Sequence, residues 1–188
     1  MSNSVKQALS VNPTSPLERA ADLDATLASV AADPGESEQK FLRFRLGQDT
    51  ALLAVDVITQ VLKIASSEIL PVPQMPGCVL GLYNWRGEML WLVDLDQFLG
   101  LPQALSTVEA WATRMVITVQ IRNQVLGLVV PQVNDIEPHE IRQIQPATAA
   151  LFPSRLLPFI QGYLTESGSA VLDVVAIARA PLWQTCHR

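Results

Sequence analysis

Val79-Leu80-Gly81-Leu82-Tyr83-Asn84-Trp85-Arg86-Gly87-Glu88-Met89-Leu90-Trp91-Leu92-Val93-Asp94-Leu95 is apolar for nearly its whole length, and the break falls at Asn84-Trp85-Arg86-Gly87. Asn and Gly tolerate the positive φ of tight hairpins, so the stretch reads as two buried strands joined by a short turn. The turn carries an arginine and a tryptophan. A fixed positive charge beside a large aromatic ring suits protein recognition better than catalysis.

Working outward from the hairpin, Pro71-Val72-Pro73-Gln74-Met75-Pro76-Gly77 leads into it. Proline fixes its own φ and pushes the preceding residue towards extended geometry, so this is a stiff, non-helical connector. A polyproline ligand is a second reading of it. On the other side, Asp94 caps a short helix from Leu95 to Leu99, with Gln97 as partner; Gly100 ends it and Pro102 prevents its continuation. Residues 102–112 read as a loop.

Further out the pattern stays β. Leu42, Phe44 and Leu46 alternate with Arg43 and Arg45, Gly47-Gln48-Asp49 makes a turn, and Thr50 to Val55 completes a first hairpin. Asp56 to Val61 is compatible with one helical turn or a bent strand, and Leu62 to Ala65 is extended. Arg114 to Ile121 and Gln124 to Val130 form another hairpin around Arg122-Asn123. Pro131 to Gln145 reads as irregular, anchored by Val133, Ile136, Ile141 and Ile144. After a Pro-punctuated loop over 146–158, Phe159 to Leu164 and Ser169 to Leu172 form the last hairpin. Asp173 then caps a short helix broken at Pro181. This last unit echoes the central one in layout: strand, turn, strand, Asp cap, short helix, Pro. The echo predicts two related small barrels in one chain.

The composition bounds the function. The chain has 188 residues, 49% hydrophobic and 16% charged, with a net charge of −5. The apolar share supports a sizeable core. The basic residues are scattered, which argues against nucleic acid as a partner. Residues 1–38 differ from the rest: they hold no aromatic residue, and Ser15-Pro16-Leu17-Glu18 starts a weakly amphipathic helix reaching about Ala32. The first thirteen residues lack an apolar signal core, and the longest apolar run is too short to span a bilayer, so no direct membrane insertion is expected. Cys78 reads as a small core hydrophobe and Cys186 as a free tail thiol. No disulfide framework is implied, which fits a cytoplasmic location.

An enzyme is the rival class. His139 reads as a loop residue and His187 as part of the tail; Cys186-His187 lacks metal-ligand spacing. There is no nucleophile elbow, phosphate-binding loop or dinucleotide fingerprint. No catalytic residue, metal or cofactor is therefore expected. A small β-barrel enzyme or ligand-binding module without a recognised motif is the alternative.

Several of these pieces, in order, resemble the CheW-like family of chemosensory coupling proteins: Phe41-Leu42…Phe44…Leu46-Gly47, Ala54-Val55-Asp56-Val57…Val61…Ile64, Ile69-Leu70-Pro71-Val72-Pro73, Gly81…Asn84-Trp85-Arg86-Gly87…Val93-Asp94-Leu95, Leu126-Gly127-Leu128-Val129-Val130 and Gly162…Leu172-Asp173. The resemblance implies a mainly β fold of two five-stranded SH3-like barrels packed together, with short helices. It implies a non-enzymatic adaptor between the regulatory domain of a CheA-type histidine kinase and the cytoplasmic tip of a methyl-accepting chemoreceptor, serving chemotaxis or a pilus-driven motility pathway. The organisation expected is an extension over 1–38, a CheW-like domain over 39–182 and a tail over 183–188. Asn84, Arg86 and Gly87 carry the family motif, with Trp85 as an exposed anchor. Val57, Val61 and Leu128 are candidates to line a groove for a receptor helix, and Lys63 joins them as a protein-binding candidate. The chain departs from the pattern at Lys63, where relatives carry an acidic residue able to pair with the motif arginine, and at Pro131, where they carry Asp. Arg86 must then find another partner or face the ligand.

Overall fold

The computed structural model describes residues 38–102, 112–122 and 124–180. The helix expected from Ser15, most of the 102–112 loop, Asn123, Pro181 and Cys186 lie outside them. Eleven strands, β1 (Glu38–Leu46), β2 (Asp49–Ala54), β3 (Ile58–Ala65), β4 (Val79–Trp85), β5 (Glu88–Asp94), β6 (Thr113–Ile121), β7 (Gln124–Val130), β8 (Val133–Glu140), β9 (Ile144–Gln145), β10 (Ile160–Leu164) and β11 (Ala170–Leu172), form two sheets. One sheet has the order β8-β1-β2-β11-β10-β9 and the other β3-β6-β7-β5-β4. Each curls into an SH3-like barrel, here barrel A and barrel B.

The two sheets are the same sheet built twice. β1 and β6 begin and end 75 residues apart, as do β3 and β8. In barrel A, β11 runs parallel to β2; in barrel B, β5 runs parallel to β7. The six-to-five difference in strand number is small: the counterpart of β9 is a single bridge, Leu70 to Leu82. Chain order interlocks the barrels, because β1 and β2 belong to barrel A, β3 to β7 to barrel B, and β8 to β11 return to barrel A. The crossing after β2 is a 3-10 turn over Val55–Val57, which resolves the ambiguous stretch after Val55 into a helical turn followed by β3.

Strand alternation produces three cores. Side chains on one face of each sheet, among them Phe44, Leu53, Val93, Ile117, Leu128 and Leu172, meet in one large cluster shared by both sheets. The opposite faces fill the barrels separately, with Leu90, Leu92, Val116 and Val129 in barrel B and Phe41, Leu52, Leu164 and Val171 in barrel A. Central strands therefore carry apolar residues on both faces, which is why β5 reads as a continuous apolar run.

Both short helices start as their sequences indicate. The Asp94 carboxylate accepts a hydrogen bond from the Gln97 amide at 3.0 Å, heading α1 (Leu95–Phe98). Asp173 accepts from the Ala176 amide at the same distance, heading α2 (Val174–Arg179). Two expectations need correction. Pro131 to Gln145 is ordered, with the eight-residue strand β8 at its centre. Its proline and charges disguise it, but β8 is the edge of its sheet, where a missing N–H and polar side chains are tolerated. Cys78 is buried as expected, at 1% exposure, yet it is disulfide-bonded and not a free thiol; the chain's other cysteine, Cys186, lies outside the described residues.

Gly81 and Gly162 stand at the same point of their hairpins, each at a register shift. A Cβ at Gly81, whose φ is 138°, would collide with the Leu70 carbonyl, and one at Gly162 would lie 2.7 Å from the Gln145 carbonyl oxygen. Gly81→Ala and Gly162→Ala should each destabilise the fold by roughly 2–3 kcal/mol in urea melts; a loss under about 0.5 kcal/mol would show that these approaches are not tight in solution.

Glu137 of β8 supplies a second test. Burial raises its pKa, but hydrogen bonds and charge from His139 and Arg43 outweigh this and hold the carboxyl below its ordinary value of 4.5. A carboxyl lowered on folding stabilises the protein above its unfolded pKa, and that contribution is lost as pH falls through the folded value. The stability gap between the wild type and Glu137→Gln should be constant down to about pH 5 and close below it. A gap independent of pH to pH 3 would remove the carboxylate from the account.

Candidate functional site

β4 and β5 pair from Val79 with Val93 to Trp85 with Glu88, leaving Arg86-Gly87 as a two-residue loop. Arg86 has φ 55° and Gly87 φ 88°, the left-handed pair of a type I′ turn. The positive φ thus falls on Arg86 and Gly87, while Asn84 lies within β4. Asn84 still serves the turn: its Oδ1 accepts the Gly87 amide hydrogen at 3.0 Å. A non-glycine residue in this region is uncommon, so the backbone presents Arg86 at some cost in strain.

The guanidinium finds its partner on another strand. Arg86 Nη2 donates to Gln60 Oε1 of β3 at 3.1 Å, and Arg86 Cζ lies 5.1 Å from the centre of the Trp85 ring. β3 and β4 are the two ends of the barrel B sheet. The Arg86–Gln60 bond therefore reaches between sheet ends through a neutral amide, in place of an acid at position 63. Gln60 was not singled out in the sequence; its only signal was its place among the strand residues before Lys63.

The candidate residues separate clearly. Asn84, Arg86 and Gly87 are exposed on the tip. Val61, 37% exposed, and Lys63 are exposed on the outward positions of β3. Val57 is half-buried at the crossing turn, packed against the shared core. Trp85 is also half-buried, and its ring packs onto the barrel B cluster. It is a plug at the end of the barrel that supports Arg86, which corrects the expectation of an exposed anchor. Leu128 is fully buried in the shared core and lines no groove; it pairs with Ile117 and Val93 in a central strand, where both faces are covered. An apolar residue in a strand cannot by its type alone be assigned to a groove or to a face covered by the second barrel. Sequence reasoning also missed two exposed apolar residues, one bridged to β4 at Leu82 and one beside the tip. Leu70 and Met89 are 55% and 50% exposed, and Met89 stands directly opposite Asn84.

Around this tip are amide, guanidinium and apolar groups and the exposed carboxylate of Glu88. Among the described residues no group of three or more His, Cys, Asp or Glu side chains is arranged to hold a metal ion, and no helix is long and apolar enough to cross a membrane. On the opposite barrel a cleft of about 540 Å³ opens beside the β10–β11 turn, with Leu46, Leu99, Phe152, Leu156, Ile160 and Leu172 in its walls. β10 and β11, whose turn borders this cleft, have five and three residues where β4 and β5 have seven each.

The model of the CheW-like domain matches residues 40–181, from within β1 to just beyond α2. The chain belongs to the CheW-like domain family. A chemotaxis protein CheW from Rhizobium meliloti (strain 1021) is 31% identical over 108 residues, covering 57% of this chain and 66% of that relative, a little under two thirds. The crystal structure of the scaffolding protein TtCheW from Thermoanaerobacter tengcongensis superposes with a TM-score of 0.61 at 21% identity, covering 72% of this chain and 88% of that one. At that identity the likeness establishes the CheW-like fold of paired barrels.

The role of Trp85 as a plug can be tested on stability alone. Trp85→Ala removes a half-buried ring and the cation–π contact, and should cost about 2 kcal/mol in chemical denaturation. A loss below about 0.5 kcal/mol would return Trp85 to the list of exposed contact residues.

Proposed function

We propose that this chain is a non-catalytic cytoplasmic adaptor that couples the regulatory domain of a CheA-type histidine kinase to the cytoplasmic tip of a methyl-accepting chemoreceptor, in chemotaxis or a related pilus-driven motility pathway. Membership of the CheW-like family supports a scaffold or adaptor role in chemotaxis signalling. The observation that carries the proposal is the tip of the β4–β5 hairpin. Its turn spends backbone strain on displaying a guanidinium, and the Trp85 ring and Gln60 hold that group in place. Pre-ordering an arginine in this way lowers the entropy lost on binding a partner, and arginine and apolar groups together are the chemistry of interface hot spots. In this reading Asn84, Arg86 and Gly87 form the contact tip, Val61 and Lys63 extend it along β3, Val57 flanks it, and Trp85 positions Arg86. Leu128 acts only as core behind the site. The stretch 39–182 is the adaptor domain, with 1–38 and 183–188 as its extension and tail.

A small-molecule-binding barrel is the second reading, and the cleft beside the β10–β11 turn is the observation that favours it. The two readings place function on different residues, since none of the tip residues lines the cleft, so substitutions at the tip discriminate between them.

Arg86→Asn is the substitution of choice. Asn accepts the left-handed conformation more readily than Arg, so the melting temperature should hold or rise slightly. Loss of the guanidinium should weaken binding to the kinase regulatory domain or the receptor fragment encoded beside this protein at least about tenfold, or about 1.4 kcal/mol, by calorimetry. Unchanged affinity for both partners would remove Arg86 from the contact. A folded wild type that binds neither at tens of micromolar would defeat the adaptor reading itself.

A further inference from the structure

The repeat allows the two edge strands to be compared position by position. β3 borders barrel B and β8 borders barrel A, each paired on one side only, with β6 and β1 respectively. Even their irregularities agree: a register shift follows the pairing of Ile58 with Val119 in barrel B, and the matching pair Val133 with Phe44 in barrel A adjoins one too. Leu62 opposite Val116 therefore corresponds to Glu137 opposite Phe41, and Ile64 corresponds to His139.

The side chains in these matched positions differ in kind. In β3, Leu62 and Ile64 join the barrel B cluster. In β8, Glu137 and His139 replace them, and β1 places Arg43 where β6 has Thr118. The apolar filling of barrel A is correspondingly small: Phe41, Leu52, Leu164 and Val171, with Ala54 and Ile144 against them. In compensation, Glu137 Oε1 accepts hydrogen bonds from Arg43 Nε at 3.0 Å and Nη2 at 2.7 Å, and lies 2.8 Å from His139 Nε2. The His139 ring tilts against Phe41 with centroids 6.1 Å apart. Pro138, between the two β8 residues, supplies no N–H, and Ile136 is 57% exposed and adds little burial; Val133, at the start of the strand, packs against the shared core.

We infer that the Glu137–His139 half of β8 is held to barrel A by the Arg43–Glu137–His139 charge latch and its backbone pairing with β1 and not by apolar filling, and that it opens before its counterpart in β3. Detaching β3 exposes Leu62 and Ile64 and uncovers the apolar cluster behind them. Detaching this half of β8 breaks its pairing with β1 and uncovers the Phe41 ring against which His139 tilts, but the side chains it brings out are a carboxylate and its donors, which water can satisfy at once, so the opening needs less free energy than that of β3. The opening also uncovers the outer backbone groups of β1 from Glu38 to Phe41, converting a covered strand into a free edge.

Hydrogen exchange followed by mass spectrometry on the full chain tests this. At neutral pH the β8 amides should exchange at least about tenfold faster than those of β3. Glu137→Gln should speed exchange in β8 by about a further tenfold and leave β3 unchanged. The triple variant Arg43→Thr, Glu137→Leu, His139→Ile transfers the barrel B residues and should slow β8 towards the β3 rate. Equal protection of β8 and β3 in the wild type would overturn the inference. So would a Glu137→Gln variant that accelerates every strand alike, because the triad would then belong to the global fold. If the triple variant does not fold, Glu137→Gln and His139→Gln decide the matter between them, since each must act on β8 alone.

Discussion

Each barrel shuts at one close approach of backbone to backbone. At Gly81 the strand passes under the Leu70 carbonyl, and the Leu70 and Leu82 amides and carbonyls bond reciprocally at 2.7 and 2.9 Å. At Gly162 the strand passes under Gln145 and Ile144, and β9 pairs with β10. A side chain at either glycine would hold the returning segment away, leaving the last strand of the sheet with an unpaired edge. The register shift at both points adds the local twist that lets a short sheet curl. The shared core depends on this closure, because only curled sheets present one face inward to fill a barrel and the other outward to meet the second barrel.

Much of this was legible in the sequence because the signals are local. The hairpins at 41–55, 79–94, 114–130 and 159–172 announce themselves through alternation and turn residues, and the Asp94 and Asp173 caps through the residue type ahead of an apolar helical run. What was not legible is what depends on the other barrel. Leu128 and Val61 look alike in sequence, as apolar residues of β-strands, yet one is fully buried and the other 37% exposed. The difference is position in the sheet: Leu128 lies in a central strand covered on both faces, and Val61 on an edge. Trp85 was misjudged for the same reason, since only the closed barrel supplies the cluster that its ring caps. β8 was missed because edge strands escape the composition rules that mark central ones. The repeat itself was visible only in its second half, where Gly and Asp recur; its first half has diverged, and the 75-residue spacing emerges from the strand boundaries.

That divergence explains how one architecture yields two different ends. Two copies of a barrel begin with the same exposed features: a tip between the paired strands and an outer edge. In barrel B the long hairpin carries Arg86 to a tip, where Trp85 seals the barrel end and Gln60 ties the tip to the edge strand. In barrel A the hairpin is short, the turn Glu166-Ser167-Gly168 carries no aromatic or cationic group, and the edge strand trades apolar side chains for a carboxylate and its donors. The interior that would have been filled by residues like Leu62 and Ile64 is occupied by Glu137 and His139, which lie 19% and 18% exposed and keep partial access to water. Apolar filling is thereby greater in barrel B, behind the turn that carries Arg86, and the outer edge of barrel A rests on a hydrogen-bonded carboxylate where that of barrel B rests on Leu62 and Ile64.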